Sequence, residues 1–244
     1  MSDKIITSLR DDKEYYNGVG KNYLSNSDIG TLLTNPKEFG VSRPDNKNFA
    51  EGRYFHQLIL EPEKAKDVLF VDVTTRNTKA YKEFLDECGK EVVLLKSEVD
   101  DIQALVSIMT NNYLFFEKIY EVGNKFEEPA IGTIKDMMWK GKADIVSSDC
   151  LIDLKTTSNI QDFKWSARKY NYDSQAYIYK QLFGKPLVFY VIDKITHQMG
   201  VFEPTDEFLS RGEEKVVKAI EVYNKFFSDK PTDNINDYFI KDLL

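Results

Sequence analysis

Two aspartates and a lysine near the middle of the chain have the types and spacing that metal-assisted chemistry needs. Asp144 ends the segment KGKAD, and Asp153 and Lys155 follow in CLIDLKT. Because alternate residues of a β-strand share a face, Asp153 and Lys155 lie on one face, while Ile152 and Leu154 point into the opposite layer. A short turn joins the two strands, so both carboxylates can converge on one divalent ion.

This arrangement contains the parts required for phosphodiester hydrolysis. The reaction needs charge stabilisation on the phosphate and an activated water, which one or two Mg²⁺ ions and an adjacent lysine supply. The Leu154 carbonyl adds a further oxygen ligand. A simpler interpretation makes Asp153 and Lys155 an ion pair on a solvated strand and Asp144 a turn residue. The strand is otherwise apolar, and a second aspartate lies one hairpin away. Both features favour a metal site over a surface ion pair.

Side chains on predicted helices extend the set of candidates. Gln175 and Tyr179 are four residues apart in DSQAYIYKQLFG, so they share a helix face on which apolar residues are usual. His56 is one of two histidines and lies in GRYFH. Taken alone, a half-buried tyrosine beside a solvated glutamine is an equally simple interpretation, and a lone helical histidine is usually structural.

Composition limits the class of protein. Of the 244 residues, 42% are hydrophobic and 30% charged, with 16 Phe and 14 Tyr, which is typical of a globular chain. Cys88 and Cys150 are too few for a disulfide framework, a four-cysteine zinc site or an iron–sulfur cluster. No apolar run reaches membrane-spanning length and no signal segment is visible, so we expect a cytoplasmic protein without a membrane partner.

The net charge of −7 argues against non-specific coating of nucleic acid, so any DNA affinity must come from a local groove. Alternation along KGKADIV sends Lys140 and Lys142 to the face of Asp144, and Trp139 and Ile145 to the other. A second basic and aromatic patch around Trp165 and Tyr172 suits stacking with single-stranded or frayed DNA, although a helix end with basic residues explains it equally well. The DNA-binding candidates are Lys142, Lys164, Arg168, Lys169 and Tyr170.

The elements that must position these residues form an α/β (α+β) fold with a mixed central β-sheet flanked by helices. Strands at 126–134, 137–147 and 150–156 predict an antiparallel meander. The strand 150–156 pairs in parallel with 187–193 through helices at 160–169 and 173–183. Further helices are expected at 28–33, 49–60, 97–120 and 206–227. We predict a loose arm over 1–22, one domain over 23–230 and a tail over 231–244.

An ordered set of motifs resembles the PD-(D/E)XK nuclease superfamily. The set comprises GRYFH with His56, the pair Glu127 and Glu128, GKAD, DLKTT and Gln175-x-x-x-Tyr179. Within the superfamily, the chain is most similar to the RecE-like, exonuclease-eight-type branch of phage and prophage recombination exonucleases. The segments YLSNSDIGTLLTNPKEF and GRYFHQLILEP extend the likeness over residues 23–189. The resemblance implies a restriction-endonuclease-like core.

The resemblance also implies roles for individual residues. Asp144 and Asp153 would hold the catalytic metal, and Lys155 would position or activate the attacking water. Gln175 and Tyr179 would contact DNA or support the lysine.

His56 would lie at the edge of the metal site, with the Leu154 carbonyl as a ligand. Glu127 and Glu128 compete for the role of an accessory carboxylate, and we favour Glu128. Position 153 carries Asp where many relatives carry Glu, and the cysteines that bind iron–sulfur clusters in some related nucleases are absent.

The function implied is a Mg²⁺-dependent deoxyribonuclease, with Mn²⁺ as a substitute and no iron–sulfur cluster. We expect a 5′-to-3′ exonuclease that resects double-stranded DNA ends for recombination. The resemblance further implies a ring-shaped homo-oligomer and a single-strand annealing protein as partner. Two alternatives stay open: an endonuclease or repair nuclease of the same superfamily, and a catalytically silent module that binds DNA ends.

Overall fold

A five-stranded mixed sheet lies at the centre of the computed structural model, which describes residues 2–42 and 44–240. The strands are β1 (Phe70–Val71), β2 (Leu94–Leu95), β3 (Lys125–Ile134), β4 (Met137–Val146), β5 (Leu151–Thr157), β6 (Leu187–Asp193) and β7 (Met199–Phe202). The central sheet has the order β3-β4-β5-β6-β7, with only the β5–β6 pair parallel, and β1 and β2 form a separate parallel pair. The predicted mixed sheet and its parallel pair are confirmed.

Helices cover both faces of this sheet. They are α1 (Ser2–Ser8), α2 (Asp12–Tyr16), α3 (Asn26–Thr34), α4 (Lys47–Leu60), α5 (Pro62–Ala65), α6 (Lys79–Cys88), α7 (Lys96–Asn111), α8 (Tyr113–Ile119), α9 (Phe163–Lys169), α10 (Tyr172–Phe183) and α11 (Asp206–Phe226). One core cluster joins the sheet to α3, α10 and α11, and another joins it to α4 and α7. Over 2–42 and 44–240, no helix combines the length and apolar character needed to span a bilayer.

Two predicted helix boundaries were wrong because of capping. The helix expected over 28–33 is α3, which begins at Asn26 because Ser25 forms a capping box with Asp28. The long helix expected over 97–120 is two helices. The side chain of Asn112 accepts hydrogen bonds from the backbone N–H groups of Leu114 and Phe115, so it starts α8 immediately after α7 ends.

Side chains of the described N-terminal residues pack on the sheet, within the range 1–22 for which a loose arm is predicted. Leu9 and Tyr15 are buried, and Lys140 Nζ on β4 donates a hydrogen bond of 2.6 Å to the Tyr15 carbonyl oxygen. The short helices α1 and α2 are polar in sequence, and these tertiary contacts hold them in place. The division at residues 23 and 230 stays a prediction, and residues 241–244 of the predicted tail lie outside the described part of the chain.

The alternation of side chains along β4 changes at Asp144. Trp139 belongs to the cluster on the α10 side, but Ile145, which was expected on the same face, belongs to the cluster on the α4 side. The β3–β4 ladder has the same register on either side of Glu127, which lies opposite Asp144 but forms no bridge and has a φ of 47°. Left-handed backbone is uncommon outside glycine and is concentrated at functional sites. Strict alternation therefore predicted the wrong face for Ile145.

Candidate active site

Asp144 connects β4, β5 and α4. Its Oδ2 atom accepts a hydrogen bond of 2.7 Å from the backbone N–H of Leu154 and lies 3.5 Å from Nδ1 of His56. His56 Nε2 donates to the carbonyl oxygen of Leu154 at 2.9 Å, so the imidazole bridges the carboxylate and the neighbouring strand. Burial alone would lower the pKa of His56, but the charge and the hydrogen bond of Asp144, together with the charge of Asp153, outweigh burial and raise the pKa to about 9.

Glu127 completes a group that can hold a metal ion. One ligand atom from each of His56, Glu127 and Asp144 lies within 4.8 Å of the others. Burial and the charge of Asp144 raise the pKa of Glu127 to about 7, against the smaller opposing effects of His56 and Lys142. Carboxylate oxygens with one imidazole suit a hard or borderline divalent ion, so these residues fit the metal that the motif set implies.

Glu128, which the sequence analysis favoured as the accessory carboxylate, points elsewhere. It forms an ion pair with Arg10 of the N-terminal segment. Glu127, and not Glu128, is the glutamate with an oxygen within 4.8 Å of the ligand atoms of His56 and Asp144. Glu127 has left-handed backbone and lies opposite Asp144 on the neighbouring strand. No local sequence signal distinguishes Glu127 from Glu128.

Asp153 is held by two partners on the α10 side of the sheet. It is 2% exposed, its Oδ1 accepts a hydrogen bond of 2.6 Å from Nε2 of Gln175, and its Oδ2 pairs with Nζ of Lys155. Burial raises the pKa of Asp153, and the ammonium of Lys155 opposes that effect. Burial would lower the pKa of Lys155, but the charge and hydrogen bond of Asp153, together with the effects of Tyr172 and Asp144, outweigh burial and raise that pKa, so the lysine keeps its proton.

The convergence of the two aspartates on one ion stays a prediction. Asp144 contacts His56 and lies in one group with Glu127, whereas Asp153 contacts Gln175 and Lys155. Besides burial, the charge of Asp144 contributes to the raised pKa of Asp153, so the two carboxylates nevertheless interact. In the part of the chain that the structure describes, Oδ2 of Asp153 is buried with an ion pair but no hydrogen bond. The roles of Asp153 and of the Leu154 carbonyl as metal ligands stay predictions.

Comparison with known proteins identifies the family. A family model described as "PDDEXK-like domain of unknown function (DUF3799)" matches residues 35–232. The chain belongs to this PDDEXK-like family. The predicted membership of the PD-(D/E)XK nuclease superfamily is therefore confirmed, and the fold is that of a PD-(D/E)XK nuclease.

A solved structure shares the overall fold of this chain. A candidate exonuclease from Eubacterium rectale is 18% identical, with a TM-score of 0.63 over 96% of this chain and 95% of its own. A phage-related exonuclease from Haemophilus somnus 129PT is 14% identical, with a TM-score of 0.37 over 83% of this chain and 93% of its own. A search of curated proteins finds no match.

Tyr179 of the PDDEXK-like domain supports the backbone of β4. Its hydroxyl donates a hydrogen bond of 2.9 Å to the carbonyl oxygen of Lys142. The ring lies so close to the strand that a Cβ at Gly141 would meet it at 2.9 Å, which explains the glycine in KGKAD. Tyr179 and Gln175 therefore lie next to the site, and the contact of Gln175 is with Asp153.

Tyr172 is a site residue to which the sequence analysis gave no separate role. Nζ of Lys155 lies 4.9 Å from the centre of its ring, which stacks on Phe189 with centroids 5.5 Å apart. Tyr172, Gln175 and Tyr179 occupy positions i, i+3 and i+7 of α10, so all three lie on the helix face toward the site. This spacing is the signal that could have identified Tyr172.

The DNA-binding candidates fall into two environments. Trp165 and Tyr170 are exposed on and just after α9, and the guanidinium of Arg168 lies 5.1 Å from a ring centre of Trp165. Lys169 Nζ lies 5.5 Å from the Tyr170 ring centre, and Lys164 Nζ lies 5.9 Å from that of Trp165. Lys142, in contrast, is enclosed beneath the N-terminal segment.

Proposed function

We propose that this protein is a metal-dependent deoxyribonuclease, specifically a 5′-to-3′ exonuclease that resects linear double-stranded DNA ends for recombination. One observation carries the proposal. A group of His56, Glu127 and Asp144 that can hold a cation lies one strand away from the buried pair of Asp153 and Lys155. The family match supports nuclease chemistry at this place in the fold.

The residues with proposed roles in the reaction lie on two sides of the site. His56, Glu127 and Asp144 would hold Mg²⁺, or Mn²⁺ in its place. When bound, this ion supplies Lewis-acid stabilisation of the phosphate charge.

Lys155 contributes on the other side. Its Nζ is a protonated ammonium with three N–H donors, and Asp153 fixes its position. The remaining donors can orient a water or bind a phosphate oxygen. Because the lysine keeps its proton, it acts as a positioned cation and not as a base.

The finer features of the proposal rest on the RecE-like resemblance. They are the 5′-to-3′ direction, a ring-shaped homo-oligomer and a single-strand annealing protein as partner. DNA would be recognised through its phosphates and its ends, since the net charge of −7 restricts affinity to local basic surfaces.

The test compares covalently closed circular DNA with the same DNA after linearisation and end labelling. With Mg²⁺, we expect label at the 5′ end to be released from the linear form while the circle survives, and EDTA should abolish release. Asp144→Asn and Lys155→Gln should each abolish cleavage. Asp136→Asn is the matched control, because Asp136 is exposed at the far end of the same hairpin and its φ of 63° suits asparagine.

Each contrary outcome identifies a different alternative. Equal cleavage of circles and linear DNA would favour an endonuclease. Binding of DNA ends without cleavage in Mg²⁺ would favour the silent binding module. Full activity in excess EDTA would exclude the metal-dependent mechanism.

A further inference from the structure

Two lysines from different parts of the chain hold one carboxylate close to the candidate active site. Nζ of Lys142 on β4 lies 2.6 Å from Oδ1 of Asp12, and Nζ of Lys64 on α5 lies 3.2 Å from Oδ2. Each oxygen of the carboxylate therefore has its own cation. Two oxygens of a phosphate group can be held in the same way.

Lys142 differs from an ordinary surface lysine. Its side chain is only 7% exposed, and Nζ lies 4.8 Å from the centre of the Tyr15 ring. Among the residues that the structure describes, Asp12 is its only ion-pair partner. An enclosed ammonium needs an anion, so this position favours a negatively charged group whether or not the N-terminal segment supplies it.

The pair of lysines lies beside the acidic group of the active site. Lys142 precedes Asp144 by two residues on β4, and Tyr179 binds the backbone of Lys142 from the opposite face. The positive charge of Lys142 also lowers the pKa of Glu127, against the larger effects of burial and of Asp144 that raise it. An anion bound between Lys142 and Lys64 would therefore lie next to the place where the proposed reaction occurs.

We propose that Lys142 and Lys64 form a subsite for a backbone phosphate of DNA, and that Asp12 occupies this subsite in the DNA-free protein. This inference rests on the proposed function, because that function supplies the polyanionic substrate. The Asp12 side chain is 50% exposed and belongs to a helix of five residues, so it can leave without disturbing the core. A phosphate then replaces the carboxylate between the same two ammonium groups.

The alternative explanation is that Asp12 only anchors the N-terminal segment. The two explanations differ in the effect of removing its charge. If Asp12 competes with DNA, Asp12→Asn strengthens binding. If it is only an anchor, the substitution loosens α2 and leaves binding unchanged or weaker.

The experiment measures binding of the full-length protein to a labelled linear duplex by fluorescence anisotropy, with Ca²⁺ replacing Mg²⁺ to limit turnover. Asp12→Asn should bind roughly 3- to 10-fold more tightly than wild type at about 0.1 M salt, as expected for one fewer competing charge. Asp101→Asn is the control, because Asp101 is exposed on α7 and its loss changes the net charge equally. It should change affinity by less than about 2-fold, since distant charges are screened.

A second pair of variants keeps the test valid if Asp12→Asn folds poorly. Lys64→Gln should weaken binding and make the slope of log K against log salt shallower by about 0.9, the value for one lost phosphate contact. Lys66→Gln is its control, because Lys66 is two residues away and pairs with Glu63. It should leave affinity and slope close to wild type.

The outcomes separate this inference from the proposed function. Equal affinities of Asp12→Asn and Asp101→Asn, both folded, would overturn the subsite, as would equal slopes for Lys64→Gln and Lys66→Gln. If wild type shows the expected binding pattern but cleaves no DNA in Mg²⁺, the subsite stands and the proposed nuclease activity fails. Absence of any DNA binding by wild type would overturn both.

Discussion

The hydrogen bond from Gln175 to Asp153 makes a specific prediction about stability. Gln175→Leu keeps a side chain of similar size on α10 but removes the N–H donor that lies 2.6 Å from Oδ1 of Asp153. Both residues are buried, so solvent cannot replace the lost donor. A buried acceptor left without its partner costs about 1–3 kcal/mol, so we expect a loss of about 2 kcal/mol. For a chain of this size, that loss corresponds to about 4–8 °C in Tm.

The loss of stability expected for Gln175→Leu becomes smaller as the pH falls. Burial raises the pKa of Asp153, so the folded protein binds a proton more readily than the unfolded chain does. The cost of the buried carboxylate is therefore present at neutral pH and decreases as pH falls through the raised pKa. Removing the donor from Gln175 raises that pKa further. The difference in Tm between Gln175→Leu and wild type should then shrink as the pH is lowered.

The assay is thermal unfolding followed by circular dichroism in EDTA, at neutral pH and at a series of lower values. Gln181→Leu is the matched control, because Gln181 is exposed on the same helix and its substitution should change stability by less than about 0.5 kcal/mol. If Gln175→Leu and Gln181→Leu unfold within about 1 °C of each other at neutral pH, the hydrogen bond does not carry the stability assigned to it.

Two further predictions concern other parts of the molecule. Burial would raise the pKa of Glu98, but its ion pairs with Arg76 and Lys47 and the hydrogen bond from the backbone N–H of Leu95 together outweigh burial and lower the pKa to about 2. The stability that ionised Glu98 contributes is therefore present above its usual pKa of 4.5 and is lost as pH falls from 4.5 toward 2. Glu98→Gln should flatten the pH dependence of the urea midpoint over that range. Glu83→Gln, at an exposed position of α6, should retain the wild-type dependence, and parallel curves for the two variants would contradict the assignment. Arg168→Glu should weaken DNA binding several-fold more than Lys218→Glu on the exposed face of α11, because Arg168 lies over Trp165 on the proposed DNA surface. Equal losses of DNA affinity for the two variants in a filter-binding assay would show that the affinity depends only on net charge.

Comparison of the predicted and observed fold shows which features depend on short stretches of chain. Asp153 and Lys155 share a face of β5 because any extended strand alternates its side chains. The parallel pairing of β5 with β6 follows from two apolar strands separated by two helices. Helix capping is equally local. Asn112 is a good helix N-cap residue, but the apolar periodicity continues past it. The periodicity therefore predicts one helix where the structure has two.

The sequence by itself determined the superfamily, the mixed sheet and the residue types of the candidate site, since the order of the motifs along the chain and the periodicity of the strands can be identified without a structure. The tertiary structure alone decided which of two adjacent glutamates joins His56, because that choice depends on a positive φ at Glu127 opposite Asp144. It also decided that Asp12 meets Lys142, a contact between residues 130 positions apart. Side chains so distant in sequence are brought together only by packing of the whole chain, so no local pattern of residues encodes their contact.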